Sequence, residues 1–288
     1  MIQSPTGPEQ QELPKALFVT KTLSELGGTL PIGIQTGGQG TYARDIVVKP
    51  FRVKEEKLIG TFRANARSLT SGKLVANLLA TVCSKIGPYD FETIERESER
   101  MLCVSNMYMM DVLYAYLYTR VATLGGKIKV AQECPNCRFG FEPIVDLGDM
   151  DVKVLADDQP KDLTWTHTLT DGLVYNEKLC KTITVGLPTW ASMDNPNLAG
   201  QGAMNIANRE VDVLRHSIVA IDGERVIALN PDALDELTLR DKNGLLAAIS
   251  DFTPGPELVV AYDCPRCAHH WMDMIEWTYD VFFKGSSQ

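Results

Sequence analysis

The sequence predicts an α+β fold in which a helical region adjoins a β module split by an inserted α+β subdomain. Three observations carry this expectation. Apolar residues recur at helical spacing between Leu58 and Leu124. Alternating apolar stretches, the mark of half-buried strands, flank two C-P-x-C sequences, Cys134 to Cys137 and Cys264 to Cys267. The residues between those pairs carry turn and helix signals of their own. With 288 residues, 44% of them apolar and 23% charged, the chain can bury a substantial core.

Residues 1–40 hold Pro5, Pro8, Pro14, Pro31 and the run Gly37-Gly38-Gln39-Gly40. They read as an irregular N-terminal arm, ordered only by a neighbour. No Lys-Ser or Lys-Thr pair follows the glycines, so they read as a hinge rather than a phosphate loop. A strand and helical domain is expected over 41–130. Ile46 to Val48 form a strand ending at Pro50. Leu58, Ile59, Phe62, Ala66 and Leu69 share one helical stripe. A stronger one runs from Leu74 through Leu78, Leu79 and Val82 to Ile86, ended by Gly87-Pro88. After the acidic stretch from Glu92 to Glu99, a third helix is expected, capped by Ser105 or Asn106. Its inner stripe is Met110, Leu113, Leu117, Val121 and Leu124, and Gly125-Gly126 stops it. Tyr108, Tyr114, Tyr116 and Tyr118 exceed what one buried stripe needs; they read either as core and flank packing or, the sharper reading, as a partner interface.

Residues 131–150 and 257–283 make up the split β module. Each half reads strand, cysteine turn, strand, which is the layout of a zinc ribbon and the one internal repeat visible in the sequence. Four thiolates, from Cys134, Cys137, Cys264 and Cys267, can bind one structural Zn²⁺ per chain and leave no position for water. Arg138 and Arg266 are placed to offset the charge of the sulfurs. The position after each pair often needs a positive φ, which favours Gly. Here it holds Arg138 and Ala268, which points to distorted turns or to metal-free thiols. His269 and His270 read as packed or solvated, since four sulfurs already fill a tetrahedron. Cys83, Cys103 and Cys180 read as packed thiols, and the odd total of seven cysteines fits reduced sulfur.

The inserted α+β subdomain, 151–256, begins with strand-like Leu163 to Leu169 and Thr182 to Val185, a hairpin across Asp171-Gly172. Ile206, Val213, Leu214 and Ile218 suggest a helix, and Asp222-Gly223 a turn. Asn230-Pro231-Asp232 starts a short helix. Asp241 caps another, with Leu245, Leu246 and Ile249 inward, and Thr253 to Pro256 closes the insertion.

A formal net charge of -9 and the lack of a basic run argue against a nucleic-acid partner. No apolar stretch is long enough to span a bilayer. The sequence MIQSPTGPEQQELP lacks the basic and apolar blocks of a signal peptide, so an intracellularly made soluble protein is expected. No G-x-S-x-G, H-E-x-x-H or Walker pattern occurs. Asp149, Asp151, Asp232, Asp235 and Glu236 read as caps and solvated faces. No residue is assigned to catalysis, and no small-molecule substrate is expected.

The order of features is a strand, KPFRVKEEKLIG, three helices, CPNC, an insertion with LPT and IDG, CPRC, and a final VFF. From about residue 44 to 283 this resembles the baseplate hub proteins and hub assembly chaperones of contractile-tailed bacteriophages and related contractile injection systems. The KEEK segment at Lys54 to Lys57 and the split cysteine pairs carry the resemblance. It implies a non-enzymatic structural or assembly part of the virion tail baseplate, made in the host cytoplasm. Its implied partners are other baseplate or tail proteins, with no nucleic acid and no membrane. Two rivals stand beside this reading. A zinc-ribbon protein of nucleic acid or transcription machinery would need a basic face. A redox or metal-dependent enzyme would need a CxxC at a helix start or an open metal position.

Overall fold

The computed structural model describes residues 18–36, 41–50, 52–64, 71–156, 163–194, 206–227 and 229–275. Its fold is α+β. The described chain enters through β1 (Phe18–Thr22) and turns into α1 (Leu23–Leu26). A reciprocal cap makes that turn: Thr22 Oγ1 accepts from the Glu25 amide, and Glu25 accepts from the Thr22 amide. Strands β2 (Thr29–Gln35) and β3 (Tyr42–Val48) follow, then helices α2 (Val53–Ala64) and α3 (Ser71–Val82). Helix α3 runs directly into β4 (Cys83–Ile86), which turns back as β5 (Tyr89–Asp90). Helices α4 (Glu97–Ser105) and α5 (Met109–Leu124) come next. The antiparallel sheet β2-β3-β4-β5 packs with α3 and α5 around a core that includes Leu30, Ile46, Leu79, Val82 and Val112.

Short strands β6 (Lys127–Lys129), β7 (Gln132–Glu133), β8 (Gly140–Phe141) and β9 (Ile144–Asp146) form the first cysteine arm. Strand β10 (Asp151–Leu155) then returns antiparallel to β1. A second antiparallel sheet follows in the order β11 (Thr164–Tyr175), β12 (Lys178–Gly186), β13 (Ile218–Ile221), β14 (Glu224–Arg225). Helix α6 (Ile206–Ser217) precedes β13, and α7 (Leu239–Phe252) follows β14. Leu173, Ile183, Leu214 and Leu245 form a separate core here. Strand β15 (Gly255–Pro256) joins β10, and β16 (Val259–Asp263) and β17 (His270–Met274) form the second cysteine arm.

Several expectations change. The arm predicted over residues 1–40 is structural from Phe18 to Thr36; residues 1–17 and 37–40 lie outside the described residues. Leu23, Leu30 and Ile32 are fully buried. Their partners come from β3, β10 and α5, contacts too distant in sequence for a local pattern to reveal. The insertion expected from 151 starts later, because Val152 and Val154 of β10 lie in the first core. Trp190 also returns to that core, where its Nε1 donates to the Gly72 carbonyl at 2.9 Å. The subdomain with its own core therefore lies on 163–186 and 206–252.

The tyrosine interface is corrected as well. Tyr114 and Tyr116 are 0% and 1% exposed. Tyr114 donates to the Gly27 carbonyl and stacks on half-buried Tyr118, and Tyr108 sits at the start of α5. Helix α5 packs against β2, α3, β15 and the segment that carries Trp190, and Asp111 to Leu117 are all buried, so the helix needs large side chains on more than one face.

Smaller revisions have local causes. Ser105 and Asn106 end α4, a helix hidden in the acidic stretch, rather than starting α5. The Leu74 to Ile86 stripe breaks at Val82, and Gly87-Pro88 is a hairpin turn. The long hairpin turns at Asn176 and Glu177, both at positive φ, and Asp171-Gly172 is a bulge inside β11. The side chains of Leu58, Ile59 and Phe62, with Ala66, Leu69 and residues 276–283, lie outside the described residues.

Candidate metal centre

Each cysteine pair sits in the tight turn of a short antiparallel ladder. In the first, β7 and β8 pair Glu133 with Gly140 and Gln132 with Phe141. The Arg138 amide donates to the Cys134 carbonyl at 2.9 Å, and the Cys134 amide to the Phe139 carbonyl at 3.0 Å. In the second, β16 and β17 pair Asp263 with His270 and Tyr262 with Trp271. The Ala268 amide donates to the Cys264 carbonyl at 2.9 Å, and the Cys264 amide to the His269 carbonyl at 2.9 Å. Arg138 and Ala268 adopt φ of +57° and +54°. The turns therefore take the left-handed conformation anticipated from the motif without the glycine that would relieve it. The expected distortion does not occur; the ladders and amide bonds hold a strain of about 1 kcal/mol at each position.

The two turns face each other. Cys134 Sγ lies 3.7 Å from Cys267 Sγ, and Cys137 Sγ lies 3.6 Å from Cys264 Sγ. All four sulfurs are within 4.8 Å of one another. These separations exclude disulfides, whose sulfurs sit about 2.05 Å apart. They match the edge of a tetrahedron, about 3.8 Å for metal–sulfur bonds of about 2.3 Å. Four soft donors at the corners of one small tetrahedron can hold a metal ion. Among the described residues this is the only group of three or more Cys, His, Asp or Glu side chains gathered so closely.

Polarity around the sulfurs favours negative charge, though not through the groups expected. The Arg138 guanidinium pairs with Glu133 at 3.0 Å, and that of Arg266 lies 6.0 Å from the centre of the Phe139 ring. Instead the Arg266 backbone amide donates to Cys264 Sγ at 3.4 Å, and the Asn136 side-chain amide to Cys267 Sγ at 3.6 Å. The His269 amide, with Asn136, holds the Cys267 thiol down to about 6. The Phe139 amide acts the same way on Cys137, but burial and the three neighbouring sulfurs push that thiol up to about 12. Ionising all four together needs a cation among them.

His270 pairs with Asp263 at 3.0 Å and His269 stacks on Trp271, so neither joins the sulfurs. Cys83 and Cys180 are buried and Cys103 half-buried, as expected of packed thiols. An aromatic ladder of Phe139, Phe141, Trp271 and Tyr262 links the two arms and was not singled out from sequence. Its signal was present: the ring residues after each pair fall two and four positions beyond the second cysteine.

Two buried carboxylates also went unrecognised. Asp111, the third residue of α5, accepts from the Ile32 and Gly33 amides, each at 2.8 Å. Burial pushes it up to about 7 despite those donors and Arg44. Asp241, expected as a helix cap, is the third residue of α7; Thr238 is the cap. Its carboxylate reaches the β11 bulge and accepts from Thr170, Asp171 and Gly172 at 2.7, 2.8 and 3.0 Å. Burial opposes ionisation there too, but the three amides hold Asp241 below the usual carboxylate range. Both are structural clamps: each satisfies strand amides at a register shift.

Among the described residues no helix is long and apolar enough to cross a membrane. Protein-family models, curated proteins and solved structures gave no match to this chain.

Proposed function

We propose that this chain is a non-enzymatic structural or assembly component of a contractile phage-tail or injection-system baseplate, stapled by one structural zinc ion. The observation that carries the structural part is the closed set of four sulfurs supplied by turns far apart in the chain. When bound, zinc would cross-link those turns; Cys134, Cys137, Cys264 and Cys267 would hold it, and no coordination position would be left for a substrate. Zinc suits four thiolates in a tetrahedron better than hard cations, which prefer oxygen.

The baseplate assignment is supported by the order of KPFRVKEEKLIG, CPNC, LPT, IDG and CPRC along the chain. An acidic protein with two packed cores tied together suits a rigid part that locks against neighbours. Two measurements test the reading. Elemental analysis of the purified chain should give about one zinc per molecule. Mass spectrometry of assembled tails, or of assembly intermediates, should find this chain bound to baseplate proteins. Particles that assemble normally in its absence would sink the baseplate role. Salt-sensitive binding to DNA or RNA would favour the nucleic-acid rival instead.

A further inference from the structure

The cysteine turns are not the only repeated feature. The first half runs β2, β3, α2, α3, β4, β5, α4, α5, then a cysteine arm; the second runs β11, β12, α6, β13, β14, α7, then a cysteine arm. Short 3-10 helices stand at Trp190–Asp194 and Pro231–Leu234 where the first half has α2 and α4. The two sheets have the same strand order. In each, a 12-residue helix passes directly into a 4-residue strand and then a 2-residue strand.

The likeness extends to irregularities, which a shared architecture alone does not impose. Ile46 pairs with Ile86 and Val47 with Lys85, and then the register steps to Val48 with Cys83. Likewise Ile183 pairs with Ile221 and Thr184 with Ala220, and the register steps to Val185 with Ile218. The next turn is fastened alike: the Gly87 amide donates to the Asp45 carbonyl at 2.7 Å, and the Asp222 amide to the Thr182 carbonyl at 2.8 Å. Gly33 and Gly172 occupy matching register shifts with φ of +93° and +94°. A Cβ at either would meet backbone or side-chain atoms closer than 3.0 Å. Both bulges are clamped by the third residue of the later helix, Asp111 or Asp241. In the cysteine arms, Lys129 opposite Ile144 matches Val259 opposite Met274.

The halves also meet reciprocally. Strand β1 precedes the first sheet and β10 the second, and these two pair antiparallel with each other, Phe18 with Leu155 and Thr22 with Asp151. Cys134 touches Cys267 while Cys137 touches Cys264, so the first cysteine of each arm meets the second of the other. Contacts in which i meets j and the counterpart of j meets the counterpart of i are those of a two-fold interface.

We propose that the chain is a tandem duplication folded as a fused two-fold pair, and that the metal centre, built half from each repeat, is the joint between them. The joint rests on the metal reading above. Each repeat has a sheet-and-helix core of its own, so the ion holds the repeats to each other rather than holding either one folded. The pair is not symmetric throughout: the second half lends Val152, Val154, Trp190 and Ile275 to the first core. That asymmetry joins the β1–β10 pairing as a contact between the repeats besides the metal.

The test uses the full chain with a specific protease site placed within residues 157–162 and cut after folding. The N-terminal fragment then keeps the first repeat with β10, and the C-terminal fragment begins before β11. The fragments should stay together with one metal ion per pair. Chelation, or Cys264→Ser, should weaken their association roughly tenfold or more while the circular dichroism of helix and sheet persists. Fragments that bind the ion yet associate equally well without it overturn the joint. So does unfolding of both halves in one transition when the ion is removed. An intact chain that binds no metal would instead overturn the zinc reading, and with it the joint. A distinguishable arm remains for the duplication itself. Asp111→Ala and Asp241→Ala should each raise amide exchange chiefly in their own half, and exchange that rises equally in both halves would count against two repeats.

Discussion

Asp111 and Asp241 occupy the same place in the two halves of the molecule, yet their carboxyl groups behave in opposite ways. Each is the third residue of a helix, each is buried, and each reaches a strand bulge whose glycine has a positive φ. Asp241 accepts from three consecutive amides, those of Thr170, Asp171 and Gly172. Asp111 accepts from two, because the residue matching Thr170 is Pro31, which has no N–H. Burial opposes charge at both sites. Three donors overcome it and hold Asp241 low, whereas with two donors Asp111 rises to about 7. Pro31 thus denies Asp111 one of the donors that favour the anion at Asp241, where the nearby His167 adds to the same effect, while burial pushes Asp111 up.

The largest effect expected from breaking the likeness between the halves is at the metal centre. Cys134→Ser and Cys264→Ser remove matching sulfurs, both buried. Each variant should lose stoichiometric metal, and the melting temperature should fall by about 10 °C. The falls should be similar, because each removes one of four equivalent donors. A variant that retains one tightly bound ion at an unchanged melting temperature would show that its sulfur is not a ligand.

The clamps come next. Asp241→Ala leaves three buried amides without an acceptor, and Asp111→Ala leaves two. At pH 7 the first should destabilise by about 3–6 kcal/mol and the second by about 2–4 kcal/mol, since each orphaned amide costs about 1–2 kcal/mol. Denaturant titration of both variants measures the order. If Asp111→Ala proves the more damaging, donor count does not rank these sites.

Their pH dependences should have opposite signs. Asp111 has a folded pKa raised from 3.8 to about 7. The folded state therefore holds its proton more tightly than the unfolded chain does. Its contribution is fully present below pH 4 and is lost as pH rises towards 7, by at most about 1.4 kcal/mol per pH unit. Asp241 has a lowered folded pKa. Its contribution is present above pH 4 and is lost as the solution is acidified through the folded value. The stability of the native chain minus that of Asp111→Asn should thus decline between pH 5 and pH 7. The same difference for Asp241→Asn should stay flat there and fall only in stronger acid. A flat Asp111 difference would place its folded pKa near the ordinary one.

What the sequence revealed followed from where each signal resides. The cluster of four sulfurs able to hold a metal ion was legible because that chemistry needs one residue type at one spacing, and CPNC and CPRC carry both. Helices α3, α5 and α7 were legible from their stripes. The duplication beyond the cysteine turns was not, because equivalent positions keep burial rather than identity. Cys83-Ser-Lys-Ile86 and Ile218-Val-Ala-Ile221 are both buried at their ends and half-buried between, with only the final isoleucine in common. The segment from Phe18 to Thr36 was misread because Pro31, counted as a sign of irregularity, lies beside Gly33 in a strand bulge, and the β1 partner lies more than a hundred residues away. The tyrosines misled because one aromatic surplus fits two geometries: a helix with one buried face and an exposed aromatic patch, or a helix buried on nearly every side. Only the packing around α5 decides between them.

The smallest expected effect is the sharpest probe of the comparison. Pro31→Thr gives the first half the residue type that stands at the matching place in the second, and with it a backbone N–H. If the substituted residue adopts the conformation of Thr170, its amide should become the third donor to Asp111. Two consequences for stability nearly cancel. A hydrogen bond to a charged acceptor adds about 1.5–3 kcal/mol. Losing a proline frees the unfolded chain by up to about 1 kcal/mol, and fitting a side chain against fully buried Leu30 and Ile32 offsets part of the remainder. The net change at pH 7 should therefore be small. The titration should not be: with three donors Asp111 should ionise well below 7, and the decline in stability between pH 5 and pH 7 should flatten towards the behaviour of Asp241. Carbon-detected NMR of the Asp111 carboxyl reads this directly. An unchanged titration in a folded Pro31→Thr chain would mean that the difference between the two aspartates arises from burial or from the His167 charge beside Asp241, and not from the missing amide.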